Sequence, residues 1–154
     1  MPWTDLLDAG RIALLEAPVD REQVLEAAAR LLAGGPGGQA RALAEALQQR
    51  EQLASTAIGH GVAIPHARSD ASLARGAFLR LATPVDFGAR DGAPVDLVFA
   101  MTTIDDRPEL HLAHLAGVAE RLSVPAFRER LRAAPDLEHL RSLLLPPASA
   151  ASAA

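Results

Sequence analysis

The 154-residue chain contains no cysteine and no lysine. The first absence excludes disulfides, thiol catalysis, redox pairs and every zinc site that uses a thiolate. The second leaves all fifteen cations as arginine, read here as codon bias and not as a functional signal. Positive charge is also short overall, with a net charge of −4 and a pI near 5.7. A non-specific nucleic-acid binder displaces counterions with a basic surface, and no such surface is evident. The start, MPWTDLLDAG, lacks the basic flank and long apolar core of a secretion signal. No apolar run approaches the roughly 20 residues that cross a bilayer. A soluble cytoplasmic protein without membrane insertion is the expectation.

What is present is a chain that is 49% apolar, with the apolar residues distributed along its length, enough for one domain with one core. Ile12-Ala13-Leu14-Leu15 reads as a short strand. Asp20 followed three residues later by Gln23 opens a helix as a capping box does, and Val24, Leu25, Ala28, Leu31 and Leu32 share one helical face. Gly34-Gly35-Pro36-Gly37-Gly38 ends it. A second helix spans 39–52, with Ala40, Leu43, Ala44 and Leu47 inward. Strands are expected at 62–64, 77–81 and 95–101, the last nearly continuous in apolar residues and so covered on both faces. Helices follow at 109–122, 125–132 and 136–145. Pro146-Pro147 stops the last, leaving 146–154 as a disordered Ala/Ser tail. Helices, then strands, then helices indicate a single α/β domain over 3–145.

The segment STAIGHGVAIPHAR, residues 55–68, carries the densest chemistry. Pro65 fixes its own φ and pushes Ile64 towards extended geometry, so His66 leaves a stiff backbone at a strand end. On these facts alone an ordinary loop histidine is the default reading, and the same holds for His60. Arg50 lies roughly 65° from the centre of its helix stripe and leans inward at the C-terminal end. It could pair with a carboxylate such as Glu51, or present its fork to a phosphate. In ELHLAHLAGVAERL the leucines define a stripe of Leu112, Leu115, Ala119 and Leu122. His111 falls roughly 45° from its centre, and His114, roughly 105° away, is expected at the surface. His139 reads as a helix-surface residue. His60, His66 and His111 could supply three nitrogens to a catalytic zinc, but the usual short ligand pairs on a helix are missing. Ser55-Thr56 is the one hydroxyl pair near His66 and lacks a nucleophile-elbow pattern. No Walker or dinucleotide fingerprint exists.

Taken together, Arg50-Glu51, STAIGHGVAIPHAR, TPVDFGARDGAPVDLVFAM, HLAHLAGVAERL and RLRAAPDLEHL resemble the enzyme IIA proteins of the bacterial phosphoenolpyruvate-dependent phosphotransferase system, fructose/mannitol class. The match runs in order over residues 3–145. It is most like the free-standing nitrogen-regulatory enzyme IIA, since no transporter or IIB segment is attached. The resemblance implies the type-2 enzyme IIA fold, a central mixed sheet of about five strands flanked by helices.

It also implies a role for three residues. His66 would accept a phosphoryl group through Nε2 from a phosphorylated histidine-containing carrier. Arg50 would neutralise that group, and His111 would hydrogen-bond it. Such transfer needs in-line positioning and charge stabilisation, with no metal or other cofactor. The implied output is regulation of a protein target by phosphorylation state. The alternatives are a sugar-transport IIA that hands phosphate to a IIB partner, and an interaction domain that no longer cycles phosphate. Two departures stand out. Ala57 replaces a common glycine, and TTIDDRPEL, residues 102–110, replaces a proline-containing loop at a rim that partners would meet.

Overall fold

A computed structural model describes residues 3–18, 20–68, 74–103 and 108–146. The expected tail from 147 onward, and residues 104–107 of the TTIDDRPEL loop, lie outside the described residues. Two 3-10 turns, Trp3–Leu6 and Ala9–Arg11, lead into β1 (Ile12–Leu15). Helices α1 (Arg21–Ala33) and α2 (Gly38–Leu53) follow, then β2 (Ala57–Gly59), β3 (Val62–Ala63), β4 (His66–Arg68), β5 (Gly76–Val85) and β6 (Val95–Thr103). Helices α3 (Pro108–Leu122), α4 (Pro125–Ala133) and α5 (Leu137–Leu144) complete the described chain.

The six strands form one mixed sheet in the order β1-β5-β6-β3-β2, with β4 also paired to β6. β1 runs parallel to β5, β5 antiparallel to β6, and β3 and β4 both parallel to β6. This is the expected α/β architecture, with one more strand than the count of about five. Sheet alternation splits the core in two. Leu79, Leu81, Val98 and Ala100 face α1 and α2, where they meet Leu25, Leu32, Leu43 and Leu47. Phe78, Leu97, Phe99 and Met101 face the other way, against Val118, Leu122, Leu131 and Leu140. The nearly continuous apolar run in β6 is thereby explained, because both of its faces are covered.

Helix ends follow local chemistry. Asp20 accepts from the Gln23 N–H at 2.9 Å and Asp136 from the His139 N–H at 2.9 Å, each capping an N-terminus. Gly34 closes α1 at φ 81°, in the left-handed region. Arginines serve several of the other carbonyls. Arg75 donates to Leu32 O at 3.1 Å, Arg128 to Leu122 O at 3.1 Å, and Arg80 to Leu131 O at 2.9 Å and Ala134 O at 2.7 Å. These guanidinium groups satisfy backbone acceptors that helix geometry leaves open.

Helix α3 departs from the sequence reading. Leu112, assigned to the inner stripe, is 64% exposed, whereas His114, expected at the surface, is 2% exposed. The buried residues of the helix are His114, Val118 and Leu122, so its inward direction is turned away from the leucine stripe towards His114. The cause is a second neighbour. Trp3 packs edge-on to Phe99 at 5.5 Å and lies where a Cβ on Gly117 would stand 2.7 Å from its Cδ1. Gly117 and His114 are neighbours three apart on the helix surface, so the N-terminal turn covers a side of α3 that leucine counting takes as open.

Candidate functional site

The segment 56–68 is laid along β6 and tied to it on both sides of Pro65. β3 pairs Val62 with Leu97, and β4 pairs His66 with Met101, in unbroken register. The two are one strand interrupted where Pro65 has no N–H to give. Its carbonyl still accepts from Met101 N at 2.9 Å, and Ile64 N donates to Thr56 O at 3.0 Å. Upstream, β2 and β3 form a hairpin turning at His60 and Gly61, both in the left-handed region at φ 58° and 79°. A two-residue hairpin turn of this kind requires positive φ at both central positions. The turn is fastened from outside. His60 N donates to Asp91 Oδ2 at 2.8 Å, and Arg132 Nη2 donates to His60 O at 2.6 Å.

His66 alternates with Ala67, which belongs to the core beneath α1 and α2, so its ring is directed to the face covered by α3. Its Nδ1 lies 2.9 Å from the Ile64 carbonyl. A carbonyl only accepts, so Nδ1 carries the proton in the neutral ring and Nε2 keeps its lone pair. The half-buried ring of His111 lies 5.4 Å from that of His66, tilted by 50°. Its Nδ1 is buried without a hydrogen-bond partner among the described residues. Burial, with His66 and His114 as like-charged neighbours, holds the His111 imidazole below its ordinary value, which favours the neutral form near pH 7.

Arg50 reaches this region on α2, which packs against β4. Its guanidinium is turned onto the end of its own helix, where Nη1 donates to Ala54 O at 2.8 Å. It does not use Glu51 in the way the sequence suggested. Glu51 is 3% exposed and grips Thr56 twice, accepting from its N–H at 2.7 Å and its hydroxyl at 2.6 Å. The structure therefore brings His66 and His111 together and delivers Arg50 on an adjoining element.

The remaining sequence candidates stand elsewhere or are occupied. Ser55 Oγ donates to Phe87 O and accepts from Ala57 N, so both hydroxyls of the Ser-Thr pair are structural. His60 occupies the hairpin turn, and among the described residues no three His, Asp or Glu side chains gather as metal ligands. His139 is exposed on α5, paired with Asp136 at 2.6 Å. Among the described residues no helix is long and apolar enough to cross a membrane. Sequence reasoning missed the part played by Glu51, although its signal was available. Glu51 follows Leu47 by one helical repeat, which places a carboxylate on the buried stripe of α2.

Residues 5–145 match the family described as phosphoenolpyruvate-dependent sugar phosphotransferase system, EIIA 2. A nitrogen regulatory protein of Bradyrhizobium diazoefficiens is 40% identical over 98% of this chain and 100% of its own length. A fructose-specific EIIA component of Haloferax volcanii is 33% identical over 86% of this chain and 88% of its own. Among solved structures, the nitrogen regulatory protein IIA-Ntr of Neisseria meningitidis superposes with a TM-score of 0.81. Its identity is 35%, covering 92% of this chain and 97% of that one.

Proposed function

From the premise that this chain belongs to the EIIA 2 family of the phosphoenolpyruvate-dependent sugar phosphotransferase system, we propose that it is a cytoplasmic phosphocarrier. His66 Nε2 takes the phosphoryl group, and a phosphorylated HPr-like protein is the donor. The observation that carries this reading is the hydrogen bond between His66 Nδ1 and the Ile64 carbonyl. It leaves Nε2 as the nucleophile at neutral pH without a separate base.

In the transfer, the Nε2 lone pair forms the new N–P bond while the donor's N–P bond breaks and its electron pair returns to the donor imidazole. Positive charge that develops on the His66 ring is shared with Nδ1–H and supported by the Ile64 carbonyl. Three phosphoryl oxygens then need donors. Arg50 can exchange the Ala54 carbonyl for them with its fork geometry intact. His111, held towards its neutral form by burial, gains a reason to hold a proton once a dianion stands next to it. No step calls for a metal.

The regulatory branch is the favoured output, because the relative that matches this chain end to end is named a nitrogen regulatory protein. The similarity to a fructose-specific EIIA component supports a second reading, in which the phosphoryl group passes to a IIB partner. The test is intact mass after incubation with phosphoenolpyruvate, enzyme I and the cognate histidine carrier. One acid-labile phosphoryl group on the wild type, absent from His66→Ala, is the expected result. No gain from a competent carrier would overturn the carrier role and leave a domain that binds partners unmodified.

A further inference from the structure

We propose that Glu51 is the positioning residue of the His66 site. Its buried carboxylate holds Thr56 by backbone and hydroxyl at once, and so fixes the segment whose Ile64 carbonyl keeps the proton on Nδ1 of His66. The inference rests on the reading of His66 as phosphoryl acceptor and assigns the residue that prepares it.

Three links run in series. Glu51 Oε2 and Oε1 accept from Thr56 N and Oγ1 at 2.7 and 2.6 Å. Thr56 O accepts from Ile64 N at 3.0 Å. Ile64 O meets His66 Nδ1 at 2.9 Å. The linkage is mechanical and not electronic, since the N–H and C=O of one residue belong to different peptide groups and no single dipole spans two links. Its value lies in what else could hold Ile64. β6 holds the neighbours of Ile64 through Ala63 and the Pro65 carbonyl. The N–H of Ile64 itself goes to Thr56, immediately before β2, a strand of three residues that is too short to be rigid on its own. Pro65, next in the chain, removes a ladder donor. A carboxylate that is 3% exposed is costly to bury and is retained only where it is fully used. Here both oxygens are spent on one residue, a choice that stabilises a position more than a fold. The same last turn of α2 carries Arg50, so one helix end sets both the tautomer of the acceptor and the approach of the cation.

Two readouts test this. Nitrogen-15 NMR of ring-labelled histidine reports the tautomer of His66 in the unphosphorylated protein, and stopped-time assays report the rate of phosphoryl uptake from the phosphorylated carrier. Wild type is expected to hold the Nδ1–H tautomer. Glu51→Ala should give mixed tautomers and a rate lower by roughly tenfold or more, the scale of a small misplacement of a reacting group. Thr56→Val keeps the backbone link, removes the hydroxyl link and should slow uptake measurably, with Thr56→Ser restoring it. If Glu51→Ala does not fold, the Thr56 pair decides. Folded variants with wild-type tautomer and wild-type rate overturn the proposal. So does a lower melting temperature with an unchanged His66 tautomer, which marks Glu51 as structural only. A wild type that takes up no phosphoryl group would instead overturn the acceptor role of His66, while the tautomer measurement would still judge Glu51.

Discussion

Replacing Gly61 by alanine tests the hairpin that presents the site. Gly61 has φ 79°, and a Cβ there would lie 2.5 Å from Arg132 Nη2, 2.9 Å from Asp96 Oδ1 and 3.4 Å from Pro94 O. The left-handed conformation alone costs an alanine about 1–2 kcal/mol. The steric part falls on movable groups, so Arg132 must withdraw from Asp96, which it holds at 2.9 Å, and from the His60 carbonyl. Both are partly exposed, and losing the ion pair costs about 0.5–1 kcal/mol, with a similar amount of about 1 kcal/mol for the hydrogen bond. The sum is about 2–4 kcal/mol. Gly34→Ala is the control, because Gly34 has φ 81° with nothing within 4 Å of its Cβ position. It carries the backbone cost only. With a urea slope of about 1–3 kcal/mol per molar, Gly61→Ala should unfold at least about half a molar earlier than Gly34→Ala. Coincident midpoints would refute the steric account and with it the claim that Arg132 fastens the turn.

Other expectations concern protonation and packing. His111 titrates below 6.5 in the folded state, so the unfolded chain binds more protons between the folded value and 6.5, and stability should rise with pH across that window. Urea midpoints measured from pH 5 to 8 should show the rise, and His111→Leu should flatten it; an unchanged profile in the variant refutes the assignment. His139 has the opposite sign, because its hydrogen bond to Asp136 raises it above 6.5. Its contribution is complete below 6.5 and is lost as pH rises through the folded value. Asp136→Ala should return the His139 NMR titration towards 6.5 and, by removing the α5 cap, lower the urea midpoint. Gly117→Ala places a Cβ 2.7 Å from Trp3 Cδ1 and should destabilise by about 1–3 kcal/mol. Since Trp3 is the sole tryptophan, its emission should shift to the red, and an unshifted spectrum would contradict the packing described.

Most of the fold was legible because most of it is periodic. β1 begins and ends where the apolar run does, and α1 starts at the Asp20 cap and stops at Gly34. The continuous run in β6 correctly announced a strand buried on both faces. β2 and β4 were not legible. Each is three residues long, too short to show a period; β2 exists through a tight hairpin with β3, and β4 through pairing with β6, which is distant in sequence. The burial of His114 was hidden for a related reason, since the residue that covers that side of α3 comes from the opposite end of the chain. Among the site residues, the stiffness at His66 was readable from Pro65, and the inward lean of His111 from helix geometry. The use of Glu51 could be read only by asking which donors a carboxylate on a core stripe would find.

The arginine ties described above have an electrical consequence. Guanidinium groups keep their charge throughout the range in which proteins function, so the clasps at Leu32, Leu122, Leu131 and Ala134 neither gain nor release protons near neutrality. With no cysteine, lysine or tyrosine in the chain, the side chains that change state between about pH 6 and 9 are imidazoles. A proton count taken by calorimetry in buffers of different ionisation enthalpy would therefore meet a silent scaffold. Any proton that this chain's side chains exchange as the phosphoryl group arrives would come from a histidine, the α-amino group and the phosphoryl group itself being the other groups that titrate there.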